Sequence, residues 1–286
     1  MKSSSGIRLF FVAATTAVVG TAWAWIDTGH MVVAAIAESK LTPAATKALE
    51  RLVKIGTDVK TNTFVTVSCY PDDFKNDEDR AWHYINYHFR SDGKETSNKP
   101  EDKNVVWAIE KFTAVLENAK APDNEKAQAI RYLVHFVGDI HQPMHAIARD
   151  TDAFPAGDRG GNDFKIKPIE GWGDRPVGNL HALWDFGCGE FKPIPRPLSP
   201  EGLDKIKSIA KSITDEYPED KLGELGSSKP GDWVNESCAL AKTQAYALGE
   251  NSTPSEDYLK RGRETCRRRA ALAGYRLASV LNRVFK

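Results

Sequence analysis

The sequence has no long hydrophobic run in its interior, no excess charge of either sign and no internal repeat. Lys and Arg total 39, and so do Asp and Glu. The chain therefore lacks the global positive charge by which electrostatics alone would identify a nucleic-acid-binding protein. Any anionic substrate must be attracted by a local concentration of positive charge.

The one clear apolar run lies near the start of the chain and has the layout of a secretory signal. Two basic residues precede the run from Leu9 to Gly20, and the small-x-small tripeptide at 22–24 follows it. A membrane anchor is the alternative, but the run is well short of the ~20 residues that a helix needs to cross a bilayer. We predict that residues 1–24 are a signal peptide, that Trp25 is the first mature residue, and that the protein is secreted.

The cysteines and two short triplets agree with a secretory route. In a secreted chain four cysteines suggest two disulfides, with three possible pairings, and their spacing fits no CxxC metal motif. These cysteines are Cys69, Cys188, Cys238 and Cys266. The glycosylation sequons are Asn235-Glu236-Ser237 and Asn251-Ser252-Thr253.

Helix-period apolar patterns dominate the rest of the chain, so the fold class is mainly α. The predicted helices cover residues 31–38, 43–53, 105–119, 125–140, 179–186, 200–213, 233–248 and 258–284. Only 64–69 and 164–169 are candidate strands, and 90–104 and 151–163 are expected loops. No linker divides the chain, and we predict one domain over residues 25–286.

Two His-x-x-x-Asp pairs carry the strongest chemical signal. His135 and Asp139 lie in "LVHFVGDIHQPMH", and His181 and Asp185 lie in "NLHALWD". In a helix this spacing places both side chains on one face, and imidazole and carboxylate are ligands that zinc accepts in hydrolytic sites. A single pair is more often a solvated salt bridge. Two pairs, with His145 turned back toward them by a proline bend, favour a metal centre.

Three further segments offer candidate ligands. "CYPDDF" contains Asp72 and Asp73, and "AWHYIN" contains His83. Alone, these residues are typical of a loop acid and a half-buried core histidine. At the predicted mature terminus, the free α-amino group of Trp25 would lie near His30. Since the pKa of such an amine is ordinarily ~8, a divalent cation can displace its proton and bind it.

Together these motifs resemble the S1/P1 nucleases, secreted trinuclear zinc enzymes that cleave single-stranded nucleic acids. The matching segments are, in family order, "WIDTGH", "YPDDFK", "WHYIN", "HFVGDIHQPMH", "GGN" and "NLHALWD". "WVNESCALA" and "AGYRLASVLN" resemble that family's C-terminal helices, so the resemblance covers nearly all of the mature chain. It implies the mainly α, multi-helix fold of zinc-dependent phospholipase C and P1 nuclease.

The resemblance implies three zinc ions (Zn²⁺) held by nine residues. The first zinc would be held by Asp72, His83, His135 and Asp139. The second would be held by His145, His181 and Asp185. The third would be held by the amine and carbonyl of Trp25, by His30 and by Asp139 as a bridge. Signal cleavage would therefore create a ligand.

The same resemblance implies the reaction. A metal-bridging water, its pKa lowered toward ~7, would attack phosphorus in line. The substrates would be single-stranded DNA and RNA, cut to 5′-phosphate products, and 3′-nucleotides. Asp72, Lys75 and Asn162 are the implied catalytic residues, and Lys75 and Asn162 would also clamp the phosphate.

Two aromatic-segment residues are the implied contacts to the base. Tyr84 would stack on it, a contact worth ~1–3 kcal/mol, although ordinary core packing is an equal alternative. A base held flat must be unstacked, so single strands are preferred. Asn86 departs from the fungal enzymes, where this position is an aspartate. An amide donates as well as accepts hydrogen bonds, which leaves the base preference open.

Other polar residues are left out of the site. We interpret His88 and His141 as surface or supporting residues and Asp73 as a neighbour of the ligand Asp72. Arg267 to Arg269 are expected on a solvated helix face.

Two other functions are alternatives. A zinc-dependent phospholipase C resembles this chain in fold, but it carries glutamate where Asp185 stands. A non-catalytic metal-binding protein would be expected to have lost ligands, yet all nine are present. A monomer is the default expectation.

Overall fold

A computed structural model describes residues 25–56 and 58–286, so the predicted signal peptide lies outside the described residues. These residues form ten α-helices: α1 (Asp27–Glu38), α2 (Pro43–Leu52), α3 (Phe64–Val67), α4 (Tyr70–Asp73), α5 (Val105–Glu117), α6 (Asp123–Asp139), α7 (Leu180–Asp185), α8 (Pro200–Glu216), α9 (Pro230–Thr243) and α10 (Glu256–Val284). The prediction of a mainly α fold is confirmed.

Four short strands form two separate two-stranded sheets. They are β1 (Tyr87–Phe89), β2 (Ile147–Arg149), β3 (Lys165–Ile169) and β4 (Val177–Asn179). β1 pairs in parallel with β2, and β3 pairs antiparallel with β4. The predicted strand at 164–169 is therefore confirmed as β3. Short 3-10 turns, among them Arg80–His83, Pro143–His145 and Gly187–Gly189, complete the segments around the site.

The predicted strand at 64–69 is wrong, because these residues form the one-turn helix α3. Thr63 and Thr66 bond each other's side chains and backbone in a capping box, which satisfies amides at the helix start. All four residues of α3 are buried. A helix buried on every side has no amphipathic period, so its β-branched residues had the pattern of a strand.

Helix α1 runs through the centre of the molecule. It is buried continuously from Thr28 to Ala37, and apart from Thr28 and His30 this stretch carries no polar side chain. α10 packs along it at Gly274, where a Cβ would lie 2.4 Å from Cγ2 of Ile36. Only glycine permits this approach of the two helices.

A buried ionic network joins α10 and α9 to the C-terminal end of α6. Glu236 accepts hydrogen bonds from Arg269 at 2.5 Å and from Arg276 at 2.7 Å. Arg269 also donates to the carbonyl of His141, and Arg276 donates to the His141 ring. Both arginines are almost fully buried. Arg269 is thus not on the solvated face predicted for 267–269, and His141 is a supporting residue and not a surface one.

All four cysteines are buried free thiols in the structure, so neither expected disulfide is present. Cys188 lies in the 3-10 turn after α7, and its side chain faces Cys266 of α10. Gly262, one turn before Cys266, makes room for it, since a Cβ there would lie 2.4 Å from the Cys188 sulfur. Within the described ranges, none of the helices combines the length and apolar character needed to cross a membrane.

Candidate metal centre

Three groups of histidines and aspartates converge beside α1 and α6. In each group the ligand atoms lie within 4.8 Å of one another, and every member is buried. The groups are His30, His135 and Asp139; Asp72, His83 and His135; and His145, His181 and Asp185. The first two share His135, so they form one continuous cluster.

The last turn of α6 supplies the centre of this cluster. Nε2 of His135 lies 3.2 Å from Oδ2 of Asp139, as their spacing on one helix face predicts. Asp139 also lies 3.1 Å from Nδ1 of His83 and 3.4 Å from Nε2 of His30. Gly138 permits the contact with α1, because a Cβ there would lie 2.8 Å from the His30 ring. Asp139 thus faces three histidines from three different segments.

Asp72 lies on α4, and its carboxylate faces the cluster. Its Oδ1 lies 3.7 Å from His135 Nε2 and 3.9 Å from His83 Nδ1. The same oxygen lies 2.9 Å from Nζ of Lys75. Asp73 points elsewhere, to an ion pair with Arg196 at 2.7 Å, which agrees with its exclusion from the ligand set.

The third group is formed by α7 and the turn after α6. His181 lies 3.6 Å and His145 lies 3.9 Å from the carboxylate of Asp185. α7 is short. The side chain of Asn179 caps it by accepting a hydrogen bond from the backbone amide of Ala182 at 2.8 Å. Gln142, which no sequence motif indicated, donates to Asp185 at 2.6 Å and fixes that carboxylate.

Backbone carbonyls orient three of the imidazoles. The Nδ1–H groups of His135, His145 and His181 donate to the carbonyls of Ser68, His83 and Gly160 at 2.6–2.8 Å. Each ring therefore directs Nε2 toward its group, which is how proteins prepare histidine to bind a metal. No sequence motif predicts these carbonyl partners.

Several buried nitrogen and oxygen atoms of these residues have no well-formed hydrogen bond. They are both ring nitrogens of His30, Nε2 of His83 and of His145, Oδ2 of Asp72 and Oδ1 of Asp139. A buried polar atom left in this state costs about 1–3 kcal/mol. A cation would remove that cost for the atoms that face the groups, such as Nε2 of His30 and Oδ1 of Asp139, so these residues fit metal ions.

The charges of the groups are strongly coupled. Burial disfavours ionisation of Asp72, but the nearby His135 and Lys75 lower its pKa to about 2. Burial likewise opposes protonation of His135, but Asp139 and Asp72 raise its pKa to about 9. Burial and the charge of Asp139 raise the pKa of Asp185 well above its usual range. A cation bound at the third group would favour the ionised form of this carboxylate.

Trp25 lies between the two halves of the centre. Its indole is fully buried and donates to the carbonyl of Gly138 at 3.0 Å. The next amide, that of Ile26, donates to the carbonyl of Asp185 at 3.2 Å. The backbone of Trp25 is thereby held beside the two segments that carry Asp139 and Asp185.

Three of the expected substrate residues follow segments that carry or orient ligands. Tyr84 follows His83, and Asn86 donates to Glu101 at 2.9 Å. Asn162 comes two residues after Gly160, the partner of His181, and its amide donates to the carbonyl of Arg159 at 2.8 Å. All three side chains are partly exposed.

His88 lies outside the three groups. Its Nδ1 lies 2.6 Å from Oδ1 of Asp150, and this pair fastens β1 to the residue that follows β2. A supporting role, as interpreted from the sequence, agrees with this position.

Comparison with known proteins identifies relatives along the whole described chain. Residues 25–286 match the family model described as S1/P1 Nuclease. Endonuclease 4 of Arabidopsis thaliana is 29% identical, over 99% of this chain and 97% of its own. Endonuclease 2 of the same plant is 28% identical, over 91% and 90%. Nuclease S1 of Aspergillus oryzae is 24% identical, over 94% and 95%.

Proposed function

Because the chain belongs to the S1/P1 nuclease family and is therefore a hydrolase of phosphodiester bonds, we propose that it is a secreted, zinc-dependent endonuclease. Its substrates are single-stranded DNA and RNA, which it cuts to 5′-phosphate products, and it also acts as a 3′-nucleotidase. The observation that carries this proposal is the set of three buried His/Asp groups, several of whose atoms lack a hydrogen bond.

The donor atoms fit zinc, which binds imidazole nitrogen and carboxylate oxygen in hydrolytic sites. Nine residues would hold three ions: Asp72, His83, His135 and Asp139 the first; His145, His181 and Asp185 the second; and Trp25, His30 and Asp139 the third. Bound zinc supplies a Lewis acid and a water of lowered pKa. It also supplies the positive charge that a chain of zero net charge otherwise lacks.

Lys75 and Asn162 are proposed to bind the phosphate. The Lys75 ammonium lies 2.9 Å from Asp72, so a phosphate there would face a cation already fixed by a buried carboxylate. Charge on the phosphate oxygens grows during attack, and a donor held in place stabilises the transition state more than the substrate. Asn162 would add a neutral donor from the other side of the centre.

Tyr84 supports the preference for single strands. Tyr84 follows directly after the proposed ligand His83 and is only half-buried, so part of its side chain is exposed and could take a base. A base stacked on that ring must first leave its neighbours, which a strand in a duplex does not do without cost.

The N-terminus supports processing and secretion. Trp25 would provide its amine only after cleavage behind residue 24, and its indole is already fixed against Gly138. Cys188 and Cys266 are free thiols in the structure but face each other, so in an oxidising compartment we propose one disulfide between them and not the two expected from the sequence. We expect the secreted protein to be a monomer.

The test uses protein secreted by a eukaryotic host. N-terminal sequencing should give Trp25, and about three zincs should be found per chain. Single-stranded DNA and RNA should be hydrolysed far faster than duplex DNA, and chelation should abolish this activity. Phosphatidylcholine hydrolysis is measured in parallel, because cleavage of that lipid instead of nucleic acid would support the phospholipase alternative.

A matched pair of variants controls for nonspecific damage. His83→Asn removes a proposed ligand and should lose both metal and activity. His88→Asn, five residues along the same segment, can still donate to Asp150 and should retain both. Equal activity in the two variants would contradict the proposed site.

A further inference from the structure

Glu101, which belongs to none of the motifs that match the family, is hydrogen-bonded to Asn86. Oε1 of Glu101 accepts from Nδ2 of Asn86 at 2.9 Å. We propose that Glu101 is a positioning residue, which turns the Asn86 amide so that its oxygen faces the nucleobase. This inference rests on the proposed function, since it takes the base to lie against Tyr84.

Glu101 is held in place, unlike a mobile surface acid. The Asn104 side chain donates to the Glu101 carbonyl at 2.6 Å and at the same time caps α5. The amide of Val105 donates to the carbonyl of Tyr84 at 3.0 Å. The end of the loop at 90–104 is therefore held against the segment that carries Tyr84 and Asn86. The second carboxylate oxygen, Oε2, is buried and makes no hydrogen bond with the described residues.

The partner fixes the orientation of the amide. If the amide were turned over, Oδ1 of Asn86 would meet Oε1 of Glu101, and two acceptors would repel each other. The hydrogen bond therefore holds Nδ2 against Glu101 and directs Oδ1 away from it. Along the extended chain Tyr84 and Asn86 alternate with the buried Ile85, so both side chains project on the same side. A base stacked on Tyr84 would meet the oxygen.

An acceptor at this position selects bases by their donors. Adenine, cytosine and guanine each carry an exocyclic amino group. Uracil and thymine offer only one imino N–H, between two carbonyl oxygens that would repel Oδ1. One hydrogen bond is worth about tenfold in binding, so uracil and thymine should be the poorest substrates by about that factor.

The experiment measures kcat and KM for GpG, ApA, CpC and UpU, in which both bases are the same. Each kcat/KM is divided by the kcat/KM of the same protein for bis(4-nitrophenyl) phosphate, which has no base. This quotient is called the ratio below. In the native protein the ratio for UpU should be about tenfold below the others, chiefly through KM. In Glu101→Ala the four ratios should converge to within about threefold, because the amide is then free to turn.

An exchange of the two groups separates positioning from fold support. Asn86→Asp alone sets two carboxylates against each other, and the ratios should fall about tenfold. Asn86→Asp with Glu101→Gln restores one amide and one carboxylate, so the ratios and the discrimination against UpU should return to within about threefold. Glu95→Ala removes an exposed acid from the same loop and should behave as native.

Three results would overturn the inference: equal ratios for all four dinucleotides in the native protein, an unchanged UpU deficit in Glu101→Ala, or no rescue by the exchange. Failure of the proposed function would be distinct, because the native protein would then cleave none of the four dinucleotides.

Discussion

At the scale of single residues, Asp139 has the most connected position. Its carboxylate lies within 3.4 Å of nitrogens of His30, His83 and His135. Burial opposes its ionisation, yet these histidines hold its pKa well below the usual range. An anion at this point can therefore be shared by two adjacent cations.

Asp139→Asn should thus remove more than one metal. The amide keeps the size of the side chain but removes the charge and one acceptor. We expect at least two of the three zincs to be lost, with activity falling by about 10³-fold or more. Asp185→Asn is the matched control, since its carboxylate belongs to the third group alone and should cost one zinc. Metal analysis showing three zincs in Asp139→Asn would refute the bridge.

The sequence predicted some of these residues for a local reason. His135 and Asp139 share a helical turn, and so do His181 and Asp185, so their spacing alone places each pair on one face. Asp72 and His83 carried no such local signal, and only the family resemblance selected them. Gln142 and Glu101 were missed because their partners, Asp185 and Asn86, are contacts that only the tertiary fold makes.

At the scale of elements, the site depends on how the end of α6 is held. α6 itself was predicted to within two residues, because its apolar stripe is regular. The predicted helix at 233–248 instead begins at Pro230, ends at Thr243 and is followed by a 3-10 turn at 245–247. Element boundaries of this kind depend on packing that a sequence pattern does not contain.

Glu236 is the key to the support beneath α6. Burial raises its pKa, but Arg276 and Arg269 outweigh burial and the net pKa is lowered. Because the pKa of Glu236 is lower in the folded than in the unfolded protein, its ionised carboxylate stabilises the fold. This stabilisation is present above the unfolded pKa of ~4.3 and is lost as the pH falls through the folded pKa. Glu236→Gln should cost about 3 kcal/mol at neutral pH, because it leaves two buried arginines without a charged partner.

Denaturant unfolding at several pH values checks this expectation. The difference between native and Glu236→Gln should shrink below about pH 4. Glu117→Gln breaks an exposed pair with Arg283 and should cost less than about 1 kcal/mol at any pH. A constant difference for Glu236→Gln down to pH 3 would contradict the ionic explanation.

The cysteines give a second test at this scale. Since Cys188 and Cys266 face each other, whereas Cys69 faces the carbonyl of Asp27 at 3.7 Å, we expect one disulfide in the secreted protein. Peptide mapping without reduction should recover the 188–266 link and alkylated Cys69 and Cys238. A bridge involving Cys69 or Cys238 would contradict this pairing.

At the scale of the whole molecule, the site joins the first described residue to segments far along the chain. Trp25 is bonded to Gly138 through its indole, and Ile26 is bonded to Asp185 through the backbone. The family and the mainly α fold were predicted from the sequence because the matching motifs are spread over this whole length. The distances between them required the folded structure.

An extra glycine before Trp25 should therefore reduce activity without unfolding the protein. The indole would stay in place, but the amine would become a peptide nitrogen and could not bind a cation. We expect the loss of one zinc and a fall in kcat of at least about tenfold. A glycine added after Lys286 is the control, and full activity with the N-terminal glycine would count against ligation by Trp25.

The close packing of α10 along α1 has a consequence for biosynthesis. All nine proposed ligands precede residue 186, whereas α10, which packs against α1 at Gly274 and holds the end of α6 through Arg269, is translated after them. A growing chain carries every ligand before it has the helix that keeps them together. The nine ligands can therefore reach their final arrangement only after α10 has been made and has packed against α1.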